Sequence, residues 1–165
     1  MVERWLNYEI QNVITGFWAL ERPHGEYRWV YPNSFLQRLS TLIDFEDKEI
    51  LHLFCGSSTF GTVRVDINPD VSPDVLLDLT KEKLPFPDNS FDVVIADPPY
   101  KDFKPYCFVD EAVRVLKPKG FLVILHNLVY KNPKGTRRWA CLGLSSGPNM
   151  KVRCCNIWRK IDERK

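Results

Sequence analysis

The sequence predicts an α/β fold, a mostly parallel sheet with an antiparallel hairpin near its C-terminal end. Three observations predict it. Five short apolar runs rich in Val and Ile lie between residues 50 and 126, a helical pattern separates the last two, and two strand-like runs joined by a turn follow. Continuous apolar runs of this length read as parallel strands buried on both faces. At 165 residues the chain fits one domain, with a helical cover over residues 1–48 and a sheet core over residues 49–165.

The elements follow in order. Leu6, Ile10, Val13, Ile14 and Phe17 share one face at helical spacing and predict a first helix. A second starts at Asn33 or Ser34, whose side-chain oxygen can cap it, and carries Phe35, Leu36, Leu39, Leu42 and Ile43 on its apolar face. Residues 50–54, 63–67, 74–79, 91–96 and 121–126 are the five predicted strands of the parallel sheet. Phe108, Ala112 and Leu116, with Val109 and Val113 beside them, predict a helix between the last two, stopped by Lys117-Pro118-Lys119-Gly120. Residues 139–144 and 150–158 form the hairpin around Ser145-Ser146-Gly147-Pro148-Asn149. Only eight residues, 55–62, separate the first two sheet strands. A crossover containing a helix needs ~10–12, so the helix there is reduced to a turn or absent.

Hydrophobic residues make up 44% of the chain, enough for a core, and no apolar run approaches the ~20 residues of a membrane span. The start, Met1-Val2-Glu3-Arg4-Trp5, lacks the apolar stretch of a signal peptide, so the expectation is a cytoplasmic protein with no membrane contact. Cys55, Cys107, Cys141, Cys154 and Cys155 are odd in number and contain no C-x-x-C pair, which predicts buried free thiols and no metal site. Net charge is +2 but uneven. Residues 1–100 carry 8 Lys/Arg against 16 Asp/Glu, and residues 101–165 carry 15 against 5. That asymmetry points to a polyanion beside the second half, or to charges that mix on the folded surface.

In open α/β sheets ligands bind at the carboxyl ends of the strands, and the unusual residues of this chain fall there. The first sheet strand runs into Phe54-Cys55-Gly56 and a stretch of small residues, where backbone can approach a ligand and free N–H groups can meet its carboxylate or hydroxyls. The second ends at Asp66-Ile67, and an acidic group there can take both hydroxyls of a ribose. The third ends at Asp78-Leu79, near where an adenine amino group would lie. The fourth ends at Asp97-Pro98-Pro99-Tyr100. Two prolines fix φ and remove two donors, so the carbonyls of Asp97 and Pro98 are held outward. An entering amino group can give one hydrogen to the Asp97 carboxylate and one to a carbonyl, which turns its lone pair toward an electrophile. Tyr100 offers a face on which a base can stack.

These residues resemble the class I S-adenosylmethionine-dependent methyltransferases, within them the amino-methyltransferases with a [DNS]-P-P-[YFW] loop. The resemblance runs from Ile50 to about His126. Leu53-Phe54-Cys55-Gly56 looks like the cofactor turn, Asp66 matches the ribose-binding acid and Asp78 the position beside the adenine. Leu84 to Asp92, and Leu116-Lys117-Pro118-Lys119-Gly120, are typical stretches before the fourth and fifth sheet strands. The resemblance implies a Rossmann-like methyltransferase fold, S-adenosylmethionine as cofactor, and methylation of adenine N6, cytosine N4 or guanine N2, with Asp97, Pro98, Pro99 and Tyr100 as catalytic residues. Phe54, Cys55, Gly56, Asp66, Ile67, Asp78, Leu79 and Asp97 are the implied cofactor-binding set. A protein glutamine substrate usually accompanies an Asn form of the loop, which Asp97 argues against. The sequence departs from the family in the missing helix after Gly56 and in the basic loop 131–138, where a helix is usual.

Two segments can hold a nucleic acid. The stretch from Arg22 to Tyr31 interleaves cations and aromatics, with Arg22, His24, Arg28 and Trp29 as candidate contacts, and the basic loop offers Lys134, Arg137 and Arg138. Without a target-recognition domain, a compact enzyme that reads structured RNA by shape, such as rRNA or tRNA, is favoured over one that reads DNA. The base must be unpaired or flipped out to reach Tyr100. Alternatives are a DNA enzyme with a recognition partner, a small-amine methyltransferase, and a non-catalytic activating subunit. The sequence leaves the oligomeric state open.

Overall fold

The computed structural model describes residues 13–20, 31–32, 34–100, 107–146 and 151–162. Eight strands form one sheet: β1 (Ile14–Ala19), β2 (Ile50–Leu53), β3 (Val63–Asp66), β4 (Val75–Leu76), β5 (Phe91–Ala96), β6 (Leu116–His126), β7 (Thr136–Ser145) and β8 (Arg153–Lys160). Their order across the sheet is β1-β7-β8-β6-β5-β2-β3-β4. All neighbours are parallel except β8, which runs antiparallel to both β6 and β7. The predicted mixed sheet with its C-terminal hairpin is therefore present.

Helix is scarce. Among the described residues there are two α-helices, α1 (Phe35–Leu39) and α2 (Val109–Val115), and one 3-10 turn at Pro69–Val71. Each helix serves one face of the sheet. On one face α2 presents Val109, Ala112 and Val115 to Leu51, Leu53, Val94, Leu122, Ile124 and Trp158. On the other, Phe35 and Leu39 of α1 cover Ile50, Ile95, Val123, Leu125 and Ile157. Central strands so enclosed lose water on both sides, which is why residues 50–53 and 93–96 read as unbroken apolar runs.

The link between β2 and β3 contains no helix, as its length demanded. Thr62 folds it back by donating its N–H to the Ile50 carbonyl at 2.9 Å and accepting from the Ile50 N–H at 2.9 Å. Phe60 of this link packs edge-on against Phe45 and against the His52 ring, filling area that a crossover helix would have taken.

Five expectations need correction. Ile14 and Phe17 do not lie on a helix: β1 pairs in parallel with β7, Ile14 opposite Ala140. A five-residue stretch fits both periods, and Gly16 with β-branched Ile14 and Thr15 disfavours helix once an open strand edge is available. Gly143 makes room there, since a Cβ on it would meet Cδ2 of Phe17 at 2.7 Å. The Leu6 and Ile10 end of the predicted helix lies outside the described residues. Ser34 precedes α1 with φ +64° and makes no side-chain cap bond. The third sheet strand shrinks to Val75–Leu76, because Asp74 and Asp78 on either side turn their carboxylates to the backbone N–H groups of Arg64 and Thr80. Lys117 to Gly120 do stop the helix, but as a bulge inside β6 opposite Asp92, whose carboxylate takes the Lys117 Nζ at 2.8 Å. The cysteines are all free, yet only Cys55 and Cys155 are buried.

Candidate active site

Strand order places the site. The chain runs outward from β2 to β3 and β4, then crosses to β5 on the other side of β2, so the sheet's switch point lies between β2 and β5. Ligand crevices of doubly wound sheets open there, at the carboxyl ends. A cavity of about 440 Å³ occupies that position, lined by Tyr31, His52, Phe54, Cys55, Gly56, Ser58, Asp66, Ile67, Asn68, Val71, Asp97, Pro98, Pro99, Tyr100 and Arg153. Its size is that of a small-molecule or cofactor site, roughly 300–1,000 Å³.

One wall is the turn after β2. Phe54 and Gly56 have φ of +54° and +51°, the left-handed region that bends the chain sharply. Phe54 accepts this strained position while its ring packs edge-on against Phe108. Asp66, at the end of β3, receives the Gly56 N–H on Oδ2 at 2.9 Å and the Asn68 N–H on Oδ1 at 3.0 Å. The Gly56 donor that the sequence suggested for a ligand is thus spent on Asp66. What the site gains is a carboxylate fixed in orientation, with a lone pair left on each oxygen for a diol. Ile67 is 60% exposed beside it, an apolar face at the cavity rim. Burial, with Asp66 next, pushes the Cys55 thiol up to about 11, so it stays protonated and is no nucleophile.

The opposite wall is Asp97 to Tyr100. The buried interior of β5 delivers Asp97 to the cavity, Pro98 is buried, and Pro99 and Tyr100 are exposed. His126, buried at the end of β6, packs edge-on against Tyr100 and so braces the loop from beneath. Tyr100 donates its hydroxyl to Asp97 Oδ1 at 2.8 Å. Arg153, at the start of β8, approaches Asp97 Oδ2 at 3.7 Å and donates to Tyr100 Oη and Ser146 Oγ, each at 3.2 Å. Burial raises the Asp97 carboxyl to about 6, opposed by Arg153 and by the Tyr100 hydrogen bond.

Not every predicted residue gathers here. Phe54, Cys55, Gly56, Asp66, Ile67, Asp97, Pro98, Pro99 and Tyr100 do. Asp78 and Leu79 are absent from the lining. Asp78 caps the turn that follows it, taking the Thr80 N–H and hydroxyl and the Lys81 ammonium, which hold its carboxyl down at about 2, and Leu79 is buried in the core. Lys134, Arg137 and Arg138 lie at the other end of the sheet. Arg153 faces Leu144 and Arg159 faces Arg137 along one hairpin, so roughly 20 Å of strand separates the two ends. Arg138 is used internally: its guanidinium stacks over Trp158 at 5.0 Å and donates to Asn156 Oδ1 and the Tyr130 carbonyl. Arg22, His24, Arg28 and Trp29 lie outside the described residues. Sequence reasoning missed Arg153, Ser58, Asn68 and Val71, and it gave His52 no role. A histidine inside the apolar run Ile50-Leu51-His52-Leu53 was the available signal.

Residues 62–124 match the family model of a methyltransferase domain. The matched span holds Asp66, Asp78 and Asp97 to Tyr100 and begins after the Gly56 turn. No match exists among curated protein sequences. Among solved structures, an S-adenosylmethionine-dependent methyltransferase from Aquifex aeolicus is 17% identical, with 77% of this chain and 89% of that one covered and a TM-score of 0.51. A putative methyltransferase of Haloferax volcanii, solved with the Trm112 methyltransferase activator, is 13% identical, with 70% and 83% covered and a TM-score of 0.52. The [4+2]-cyclase SpnF superposes at 14% identity and a TM-score of 0.55, covering 87% of each chain. The chain has the class I methyltransferase fold. Since that fold alone names no reaction, it is the domain match, together with the methyltransferase neighbours, that supports an S-adenosylmethionine-dependent methyltransferase and indicates S-adenosylmethionine as cofactor. The residues fit that group: an oriented carboxylate for a ribose diol, an apolar rim at Ile67 for a flat ring, and Asp97 across the cavity.

Proposed function

We propose that this protein methylates the exocyclic amino group of a nucleobase, adenine N6 or cytosine N4, in structured RNA such as rRNA or tRNA. The observation that carries the reading is Asp97, a carboxylate at the end of a buried strand facing the Asp66 wall across one cavity, followed by two prolines and Tyr100. The cofactor, when bound, supplies a methyl group on a positively charged sulfur. The chain's part is to receive the amine. Asp97 accepts one N–H and a loop carbonyl the other, so the nitrogen lone pair stands off the base plane and aims into the cavity. A nitrogen that gained the methyl carbon, while the carbon–sulfur bond broke to leave a neutral thioether, would become positive; the ionised Asp97 would stabilise that charge until the surplus proton passed to water. Tyr100 must release Asp97 to admit the amine, after which its ring is free to stack on the base.

The basic end of the sheet supports a polyanionic substrate. Lys119, Arg137, Arg138, Arg159 and Lys160 line a groove of about 570 Å³ there. A second reading, a small amine that carries its own anion, is favoured by Arg153, whose guanidinium stands inside the catalytic cavity. DNA bound with the help of a partner subunit differs from the RNA reading only in the polymer. Mass spectrometry of nucleosides from RNA and from DNA, after incubation with enzyme and S-adenosylmethionine, tests all three. N6-methyladenosine or N4-methylcytidine in RNA supports the proposal. The deoxy forms name DNA, and no methylated nucleoside in either polymer overturns the nucleobase reading.

A further inference from the structure

Tyr31 and His52 form a buried pair on the wall of the cavity that the methyl-transfer scheme does not use. Tyr31 Oη lies 2.8 Å from His52 Nε2, and His52 Nδ1 lies 2.9 Å from the Phe60 carbonyl oxygen. The rings stack at 5.4 Å with 13° between planes, and the two residues are 9% and 1% exposed. Every hydrogen in this chain can be assigned. A carbonyl oxygen only accepts, so Nδ1 carries the imidazole proton. Burial holds the ring neutral, lowering it to about 4, so Nε2 is a bare lone pair. Tyr31 must then be the donor. Its single hydroxyl hydrogen is committed to His52, and its oxygen is left as an acceptor to which no described group donates. The same cavity holds the Asp97 carboxylate, near enough that its charge adds to burial in raising the Tyr31 phenol.

The nearby turn has little to offer a cation from its N–H groups. Cys55 gives its N–H to the Val65 carbonyl, Gly56 to Asp66 and Ser58 to the Cys55 carbonyl. Tyr31 Oη and the Asp97 carboxylate are thus two acceptors on one desolvated wall, with Arg153 as the cation 3.7 Å from Asp97 Oδ2, and the acceptors suit a group that is positive and rich in donors. A primary ammonium is such a group, and the amino-acid end of S-adenosylmethionine carries one. We propose that Tyr31, oriented by His52, accepts a hydrogen bond from that ammonium and so fixes the methionine end of the cofactor. His52 is a positioning residue: it acts by consuming the Tyr31 hydrogen, which would otherwise point at the cation and repel it.

Binding of two demethylated ligands tests this without any acceptor substrate. S-adenosylhomocysteine keeps the ammonium, and its deaminated analogue has hydrogen in its place. Isothermal calorimetry on the wild-type chain is expected to favour S-adenosylhomocysteine, by roughly tenfold or more for a hydrogen bond to a charged group. Tyr31→Phe keeps the ring and removes the oxygen. It is expected to lose that preference by weakening S-adenosylhomocysteine alone. His52→Phe leaves the phenol free to rotate and should lose part of the same preference. Because each preference is a ratio measured on one protein sample, partial misfolding does not imitate the result. A preference retained in Tyr31→Phe, equal weakening of both ligands, or no binding of S-adenosylhomocysteine by the wild type each overturns the proposal.

Discussion

The hydroxyl of Tyr100 sits on Oδ1 of Asp97 at 2.8 Å, on the acceptor that an entering amine needs. The resting loop is thus satisfied by its own aromatic residue, and Asp97 does not face the desolvated cavity without a donor. Asp97→Ala is expected to lower kcat by roughly 10²–10³, the usual effect of removing one preorganised group. Cofactor affinity is expected to stay within about threefold, under 1 kcal/mol. Tritiated methyl transfer and calorimetry on the same preparation check both, and full activity in the variant would end the mechanism.

Acid should switch the enzyme off near pH 6. Asp97 titrates at about 6, and only its ionised form accepts from the amine without competing as a donor. The rate constant kcat/KM is expected to fall as pH drops through 6. Arg153 lowers that carboxyl, so Arg153→Met should move the acid limb upward toward neutrality. A pH–rate profile that is flat between 5 and 8, or a limb that shifts down in the variant, contradicts the assignment.

Asp66 has two partners to lose. Asp66→Ala removes the ribose acceptor and also frees the Gly56 and Asn68 N–H groups that set the shape of the turn. Cofactor affinity is expected to weaken tenfold or more, about 1.4 kcal/mol. An unchanged dissociation constant removes Asp66 from the site.

Gly120 has no room for a side chain. A Cβ there would lie 2.7 Å from the Asp92 carbonyl oxygen and 2.9 Å from that of Lys117, both backbone atoms that cannot swing away. Gly120→Ala is expected to cost about 1–3 kcal/mol by overpacking, read as a lower urea midpoint with unchanged m.

If the basic groove holds phosphates, Arg137→Glu should weaken nucleic-acid binding and reduce the steepness of its salt dependence by about one phosphate contact or more. Arg137 is the residue to change, because it is exposed and Arg138 is built into the fold. Titrations at several salt concentrations that superimpose for both proteins would return the groove to plain surface.

Much of this was legible in the residues, and the reason differs from place to place. Residues 91–96 had to be a buried strand because their apolar run has no polar face, and Asp97-Pro98-Pro99 had to leave it because two adjacent prolines cannot continue a central ladder. The missing helix after Gly56 followed from length alone. What failed depended on pairing between distant segments. Nothing local tells Ile14 to Ala19 that an open edge awaits them on β7. Arg153 lies inside the predicted strand 150–158 with nothing local to mark it, and its place beside Asp97 exists only because β8 turns antiparallel against β6. Lys134, Arg137 and Arg138 looked near the site because they follow β6 in sequence, but the link through Asn132 and Pro133 carries the chain down to the far end first. Asp78 matched its expected strand end, and its carboxylate is consumed by the turn it begins.

The pairing of Ile14 with Ala140 also fixes an order of events. A ribosome releases residues 14–19 long before residues 136–160, so the segment made first waits for an edge that does not yet exist. Closing so long a loop is slow, and until it closes the margin of β7, with Leu142 and Leu144, stands unpaired. In a growing chain this hairpin is the stage most open to capture by a chaperone or by the early segment of a neighbouring copy.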